Sequence, residues 1–323
     1  MEIIWNIMKT CINSSMQLYI ITGNKGFVGV NLSMYLTKRN KNILGVSRAP
    51  LRKEISYENL NAEILNNSKG FIHLAGKAHD LKKNSADSIY FEVNTDLTKT
   101  LFDQFLNSTC EVFIYMSSVK AAADALEGVL TEDVKSKPIT VYGKSKLAAE
   151  NYILSKDLPK NKRVYILRPC MIHGPGNKGN LNLLYRFVSK GIPYPFGLYK
   201  NKRSFLSIDN LCFIINELIE NTKIKSGIYN VADDDSLTTT TLVEIIGNVL
   251  NRPTKILNTP KLLINVCAKI GDFIPLPINS ERVQKLTESY QVSNSKIKKA
   301  LNIDKLPMSA EEGICKTIES FNK

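Results

Sequence analysis

Histidine is scarce in this sequence, and its cysteines stand far apart. The chain has 3 histidines and 6 cysteines among 323 residues, and no two cysteines form a C-x-x-C pair. No histidine is spaced with cysteines or carboxylates in the way that metal ligands are, so a metal mechanism is disfavoured. The cysteines are predicted to be buried free thiols of a reducing cytoplasm, because their spacing fits neither a disulfide framework nor a zinc site.

Long apolar runs are also missing. A helix that crosses a bilayer needs roughly 20 mostly apolar residues, and no run reaches that length. The longest candidate, residues 262–274, is interrupted by Asn265, Lys269 and Asp272 and predicts a buried or amphipathic helix. Residues 1–15 lack the basic start and small-residue cleavage site of a secretory signal, so we interpret them as an N-terminal extension. The sequence therefore predicts a cytoplasmic protein without stable membrane insertion.

Positive charge is in excess. Lysine and arginine number 43 against 30 aspartates and glutamates, which gives a net charge of +13 at pH 7. This sign favours partners that carry phosphate groups, such as phosphorylated substrates and cofactors. Nucleic acid is disfavoured, because the lysines are scattered and form no basic cluster interleaved with aromatic residues.

The apolar pattern predicts strands that alternate with helices. Runs such as residues 20–21 and 112–115 are continuously apolar, as expected for parallel strands covered on both faces. The alternation indicates an α/β fold with a doubly wound parallel sheet and a smaller α/β C-terminal lobe. The predicted boundaries are an extension at 1–15, a first domain at 16–175 to which 206–232 returns, and a smaller lobe formed by 176–205 and 233–323.

A glycine-rich turn follows the first predicted strand. It reads Thr22-Gly23-Asn24-Lys25-Gly26-Phe27-Val28-Gly29, a T-G-x-x-G-x-x-G pattern between a strand and a helix. Gly23 permits the tight turn, Gly26 lets a pyrophosphate approach the backbone, and Gly29 lets the helix pack closely on the strand. The helix N-terminus then faces the anion. The turn predicts a dinucleotide site of the Rossmann type, with further cofactor contacts from Lys25, Phe27 and Val28.

The second predicted strand ends at Ser47 and Arg48, with no acid beside them. An acidic residue about 20 positions after the glycines accepts hydrogen bonds from the ribose of NAD, whereas arginine suits the 2′-phosphate of NADP. Ser47 and Arg48 are therefore predicted cofactor contacts that favour NADP(H), with NAD(H) as the alternative.

A phenol and an ammonium lie four residues apart in Tyr142-Gly143-Lys144-Ser145-Lys146. On a helix such a pair shares one face, so Tyr142 and Lys146 could move a proton to or from a substrate oxygen. A neighbouring cation favours the phenolate and is expected to lower the tyrosine pKa from about 10 toward neutral pH. Alone, the motif also fits an ordinary surface helix whose tyrosine packs and whose lysines are solvated.

Further motifs accompany the glycine turn and the tyrosine. Phe71-Ile72-His73-Leu74-Ala75-Gly76 lies at one predicted strand, Asn94 opens the next helix, and Tyr115-Met116-Ser117-Ser118 ends the following strand. Arg168-Pro169 and Gly174-Pro175-Gly176 come later in the chain. With these motifs in this order, the chain from about Met16 onward resembles the extended short-chain dehydrogenases/reductases of the nucleotide-sugar epimerase/dehydratase family.

The resemblance implies a role for each matching residue. Tyr142 is implied as the catalytic acid/base, Lys146 as the residue that lowers its pKa and holds the nicotinamide ribose, and Ser118 as a catalytic hydroxyl on the reacting sugar oxygen. Arg203 and Asn180 are implied at the nucleotide diphosphate, where a guanidinium pairs with phosphate through two hydrogen bonds. The implied cofactor contacts also include Leu74, Ala75, Gly76 and Asn94, and Ser117 is an alternative contact to the substrate.

Two departures from the family pattern bear on the reaction. Sugar 4,6-dehydratases of the family follow the serine or threonine with Asp-Glu, whereas Ser118 is followed by Val119 and Lys120, so dehydration is disfavoured. Met171 replaces an asparagine that many members carry after the strand arginine. What remains is hydride transfer at carbon 4 of a nucleotide-linked hexose.

Residues 174–184, 195–197 and 201–205 also resemble a subgroup of bacterial polysaccharide enzymes. This resemblance, with Arg48, favours an NADPH-dependent reductase of the 4-keto group of a UDP-4-keto-6-deoxy-N-acetylhexosamine, for O-antigen or capsule synthesis. The alternative is a 4-epimerase of UDP-glucose or UDP-N-acetylglucosamine with tightly bound NAD. A remote alternative is a dinucleotide-binding regulator without catalysis. The implied partner is a UDP-linked sugar, and the implied assembly is a homodimer.

Overall fold

The structure is a computed structural model that describes residues 17–51, 53–77, 86–177, 179–274 and 279–322. Its central sheet contains seven parallel strands. Numbered along the whole chain, these strands are β1 Leu18–Thr22, β2 Asn42–Val46, β3 Glu54–Ile55, β4 Ser68–His73, β5 Val112–Met116, β7 Arg163–Pro169 and β10 Gly227–Val231. Their order in the sheet is β10-β7-β5-β4-β1-β2-β3. Strand β1 therefore lies inside the sheet, between β4 and β2, and later strands are added outward on both sides.

Two smaller sheets use the remaining strands. One contains β8 Met171–His173, β9 Arg203–Ser207 and β11 Ser236–Leu237, with β9 in the centre, and the other pairs β6 Val129–Leu130 with β12 Gln291–Val292. Strand β9 is parallel to β8 and antiparallel to β11. These short strands connect the end of the central sheet to the C-terminal third of the chain.

The helices lie on both faces of the central sheet and in the C-terminal third. In chain order they are α1 Phe27–Thr37, α2 Ala62–Leu65, α3 Asp87–Phe91, α4 Leu97–Leu106, α5 Val141–Leu154, α6 Asn180–Ser189, α7 Ile208–Glu220, α8 Thr239–Val249, α9 Lys261–Phe273, α10 Ser280–Thr287, α11 Ser295–Leu301 and α12 Ala310–Glu319. A π-helical segment, Glu92–Asp96, joins α3 to α4, and short 3₁₀ turns occur at Val119–Ala121 and Ser320–Asn322.

Alternate residues of each central strand supply two separate cores. In β1, Tyr19 and Ile21 pack with α1 and α7, whereas Leu18 and Ile20 pack with α4 and α5. The two-residue period of a strand explains this division, because successive side chains point to opposite faces. A third core joins β9 to helices of the smaller lobe and includes Leu181, Phe205, Val243, Ile246 and Ile314.

The structure confirms the doubly wound α/β fold, and it adds elements that the apolar pattern does not predict. The helix predicted to open at Asn94 is preceded by α3, and Asn94 itself lies in the π-helical segment before α4. The region between Arg48 and Lys69, where the apolar pattern predicts no strand, contains β3. Strands β8 and β9 were also not predicted. Residues 1–15, the predicted extension, lie outside the described part of the chain.

Candidate active site

The glycine turn holds the N-terminus of α1 against the end of β1. Gly23 has φ of +68°, and a Cβ there would lie 2.8 Å from the backbone nitrogen of Ala75. A Cβ on Gly29 would lie 2.3 Å from the carbonyl oxygen of Gly23. Any side chain at either position would therefore separate the turn from its neighbours. Gly26, the N-cap of α1, supplies no side-chain hydrogen bond, so the first N–H groups of the helix are left for an anion.

Tyr142, Ser118 and Lys146 are brought together by the first turn of α5. The Thr140 hydroxyl caps this helix by accepting a hydrogen bond from the Gly143 backbone N–H at 3.2 Å. A Cβ on Gly143 would lie 2.4 Å from the carbonyl oxygen of Lys120, so α5 packs directly on the turn that follows β5. Tyr142 hydrogen-bonds to Ser118 as a result of this contact.

Burial dominates the electrostatics of the pair. It raises the pKa of Tyr142 above 10.0, and the hydrogen bond with Ser118 only partly opposes this increase. Burial lowers the pKa of Lys146 from 10.5 to about 8, while the charge of Glu150 opposes that decrease. The expected lowering of the tyrosine pKa by Lys146 is therefore not seen, because burial disfavours the charged phenolate and the hydrogen bond with Ser118 is the influence that opposes it. At neutral pH Tyr142 is therefore a protonated phenol in this structure: it can donate a proton, and it can accept one only as the phenolate.

The Lys146 ammonium lies at the junction of three segments. It donates a hydrogen bond to the Met116 carbonyl oxygen at 2.8 Å, at the end of β5. A Cβ on Gly76 would lie 2.9 Å from the Lys146 nitrogen and 3.0 Å from Oδ1 of Asn94. Asn94, in the π-helical segment, donates to Ser145 Oγ at 3.0 Å. The predicted cofactor residues Gly76 and Asn94 thus meet the predicted catalytic lysine.

The loop after β4 closes this side of the site. The Thr22 carbonyl oxygen accepts from the Leu74 backbone N–H at 3.3 Å, and the Thr22 hydroxyl accepts from that of Ala75 at 3.2 Å. His73 is fully buried between the hydroxyls of Thr22 and Thr98, and burial lowers its pKa to about 3. His73 is therefore a neutral structural residue that positions the loop.

A carboxylate that the sequence analysis missed lies beside the end of β2. Glu54 of β3 accepts hydrogen bonds from Asn24 Nδ2 at 2.7 Å, the Leu51 backbone N–H at 2.7 Å and Ser47 Oγ at 3.2 Å. It also pairs with Lys25 at 2.9 Å. The expectation that no acid stands at this edge is therefore wrong. The acid belongs to the neighbouring strand in the sheet, not to β2 itself, and Arg48 is exposed nearby.

Arg203 begins β9 and lies near the turn that carries Ser118. Its guanidinium donates to the Lys285 carbonyl oxygen at 2.6 Å, and burial lowers its pKa. Arg203 pairs through its backbone with Tyr290, whose hydroxyl donates to the Ala123 carbonyl oxygen at 2.6 Å. Asn180 is the first residue of α6. Tyr290 thus links the start of β9, where Arg203 lies, to the turn that follows Ser118.

Comparison with known proteins places this arrangement in a family. The sequence model of the NAD dependent epimerase/dehydratase family matches residues 19–232. The chain is 33% identical over 321 residues to the UDP-glucose 4-epimerase of Vibrio cholerae, and the match covers 94% of each chain. The chain belongs to the NAD dependent epimerase/dehydratase family.

Other relatives of this family member include both epimerases and reductases. This chain is 29% identical over 166 residues to the UDP-2-acetamido-2,6-beta-L-arabino-hexul-4-ose reductase of Pseudomonas aeruginosa. The match covers 50% of this chain and 38% of the relative. Its fold resembles the UDP-N-acetylglucosamine 4-epimerase of Bacillus cereus, with a TM-score of 0.71, 19% identity and coverage of 94% of this chain and 97% of the other. The predicted family and the prediction of an NAD(P)-dependent enzyme are confirmed, and a nicotinamide dinucleotide is its cofactor.

A buried ion pair that was not predicted from the sequence lies next to Lys146 and Ser117. Glu150, one turn after Lys146, pairs with Arg168 of β7 at 2.5 Å, and both side chains are almost fully buried. Ser117 donates its hydroxyl to the same carboxylate, and Ser136 accepts from Arg168 at 3.1 Å. Ser117 is thus directed into the protein, whereas Ser118 hydrogen-bonds to Tyr142. The only sequence signal for Glu150 is its four-residue spacing from Lys146.

Proposed function

We propose that this protein is a UDP-sugar 4-epimerase that retains NAD, with UDP-glucose or UDP-N-acetylglucosamine as its substrate. The Vibrio cholerae relative supports this reading, because it is a UDP-glucose 4-epimerase and matches this chain over nearly its full length. The observation that carries the choice of an epimerase over a reductase is the carboxylate of Glu54 beside the glycine turn.

Glu54 suits NAD better than NADP. Its Oε1 accepts a hydrogen bond from Asn24, and a carboxylate oxygen has room for a second donor, such as a ribose hydroxyl. A 2′-phosphate at the same place would meet a like charge in a site where Glu54 is 10% exposed. An epimerase returns its hydride to the same sugar and needs no NADPH from solution, which agrees with a site built for NAD.

Proton transfer at the sugar 4-oxygen is assigned to Tyr142. When bound, the nicotinamide dinucleotide supplies the hydride acceptor and donor for carbon 4. Tyr142 gives the 4-oxygen its proton as an alcohol forms and takes that proton back in the opposite direction, while Ser118 hydrogen-bonds the same oxygen. The buried ammonium of Lys146 supports the phenolate during the exchange, because an adjacent cation favours the charged form.

The substrate is held from the smaller lobe in this proposal. Arg203 binds the diphosphate, since a guanidinium matches phosphate oxygens with two parallel hydrogen bonds. Asn180, at the start of α6, is assigned to the same phosphates together with the N–H groups at the N-terminus of that helix. We assign residues 176–205 and 233–323 to this substrate-binding lobe.

A second candidate function is the NADPH-dependent 4-reductase of a UDP-4-keto-6-deoxy-N-acetylhexosamine. Two cations favour it, Arg48 at the end of β2 and Lys25 in the glycine turn, because both stand close to the place of a 2′-phosphate. Under either function we propose a cytoplasmic homodimer that serves O-antigen or capsule synthesis.

The test begins by identifying the dinucleotide released when the purified protein is denatured. The protein is then incubated with UDP-glucose, and separately with UDP-N-acetylglucosamine, without added cofactor. The released dinucleotide is expected to be NAD. Chromatography and NMR of the sugar nucleotides are expected to reveal the 4-epimer. Absence of interconversion, together with steady consumption of NADPH on UDP-4-keto-6-deoxy-N-acetylglucosamine, would replace the epimerase with the reductase.

A further inference from the structure

Three side chains of α5, spaced four residues apart, contact three consecutive residues at and just after the end of β5. The contacts join Lys146 to Met116, Glu150 to Ser117 and Tyr142 to Ser118. Side chains at this spacing share one face of a helix. Two of the contacts involve the predicted catalytic residues, whereas the third, made by Glu150, has no part in the proton transfer described above.

Glu150 is fully buried and is surrounded by hydrogen-bond donors. Arg168 donates to its carboxylate from Nε at 3.0 Å and from Nη2 at 2.5 Å, and the Ser117 hydroxyl also donates to it. Hydrogen bonds to a carboxylate favour its charged form. A buried ion pair adds little stability over apolar residues of similar volume, because both charges must leave water. Stability alone therefore does not account for a carboxylate at this position.

Three titratable side chains besides Glu150 surround Lys146, and each is uncharged at neutral pH. Burial raises the pKa of Tyr142 and that of Tyr115, whose ring centroid lies 4.9 Å from the ammonium. His73 of β4 is neutral because burial lowers its pKa to about 3. Burial also lowers the pKa of Lys146 to about 8, and the charge of Glu150 opposes this decrease.

We propose that Glu150 is a positioning residue that acts through Lys146, by keeping its buried ammonium charged during proton transfer. This inference rests on the proposed function, in the step that the epimerase and the reductase share. Without the carboxylate, the ammonium would release its proton at a lower pH, and the phenolate of Tyr142 would then lose the cation that supports it.

The first measurement follows the ionisation of Lys146 and needs no turnover. The full chain, without cofactor, is labelled with carbon-13 lysine, and the Lys146 resonance is identified by its loss in Lys146→Met. Titration of its Cε chemical shift gives the midpoint of ionisation. Glu150→Gln should lower this midpoint by about one pH unit or more. The matched control Glu63→Gln removes an exposed carboxylate of α2 and should leave the midpoint unchanged.

Two further variants separate the charge of Glu150 from its packing. Glu150→Gln leaves Arg168 charged and buried, so the double variant Glu150→Gln/Arg168→Met keeps the test available if the single variant does not fold. Its midpoint should also fall, because Glu150 lies one turn from Lys146 on the same helix, whereas Arg168 reaches the carboxylate from β7. Ser117→Ala removes a hydrogen bond to the carboxylate but not its charge, and it should leave the midpoint in place.

The second measurement is the pH dependence of turnover of UDP-glucose, or of the 4-keto sugar if the protein is the reductase. In the Glu150 variants the decrease of kcat at alkaline pH should begin about one unit lower, whereas structural damage alone would lower kcat equally at every pH. An unchanged Lys146 midpoint in the Glu150 variants would overturn the role of Glu150. Absence of turnover by the unmodified protein would instead refute the proposed function, and the midpoint would still decide the role of Glu150.

Discussion

Replacement of Lys146 by methionine is expected to stabilise the apoprotein while it destroys the predicted activity. Lys146 is buried, and its pKa falls from 10.5 to about 8. That difference corresponds to about 3 kcal/mol of destabilisation when the folded protein holds the lysine charged. Methionine removes this cost but leaves the Met116 carbonyl oxygen without its donor. The lost hydrogen bond lowers the free energy of unfolding by about 1 kcal/mol. The net gain at pH 7 is therefore about 2 kcal/mol.

The pH dependence of this gain has a definite sign. Between pH 8 and 10.5 the unfolded chain holds the lysine proton and the folded chain has released it, so the stability of the unmodified protein rises with pH in this window. Below pH 8 both states hold the proton, and the full cost remains. The advantage of Lys146→Met should therefore be largest at pH 7 and shrink as pH rises above about 8.

Urea unfolding of the apoprotein at several pH values measures the effect. Lys144→Met is the matched control, because Lys144 is exposed on the same helix, and it should change stability by less than about 0.5 kcal/mol. If Lys146→Met is less stable than the unmodified protein at pH 7, or if its advantage stays constant up to pH 10, burial does not impose the cost that we derive.

Three further substitutions test other parts of the site. Tyr142→Phe should bind the dinucleotide normally in calorimetry and lose turnover by about 10²–10⁴-fold; normal turnover would remove Tyr142 as the proton donor. Glu54→Gln should shift the ratio of NADP to NAD affinity toward NADP by about tenfold, and an unchanged ratio would contradict the role of its charge. Arg168→Met leaves Glu150 buried and unpaired, so urea unfolding should show a loss of about 3–5 kcal/mol, and a loss below about 1 kcal/mol would contradict this account.

The sequence was sufficient for the parts of the fold that depend on local pattern. The apolar runs of β1, β4 and β5 and the glycine turn after β1 predict the parallel sheet and the position of α1, because both signals are contained in short segments. The helix predicted at residues 262–274 is observed as α9, Lys261–Phe273, for the same reason. The pairing of Tyr142 with Ser118 follows less directly, since it requires α5 to pack on the turn after β5.

Glu54 shows why the cofactor edge could not be predicted locally. Strand β3 has two residues, too few for a periodic pattern, and it reaches the site only because it pairs with the end of β2. The rule that an acid follows the second strand searches along the chain, whereas the carboxylate arrives from the adjacent strand of the sheet. A motif that specifies spacing in sequence thus misses a group that satisfies the same chemistry in space.

The pKa of Tyr142 could not be predicted from its neighbour in sequence for a related reason. The Y-x-x-x-K motif supplies one interaction, the attraction between Lys146 and a phenolate, but desolvation depends on every element that packs over α5. In the folded chain that collective effect raises the pKa of Tyr142 and lowers that of Lys146. Before the cofactor binds, the site therefore holds a neutral phenol beside an ammonium that is costly to keep charged.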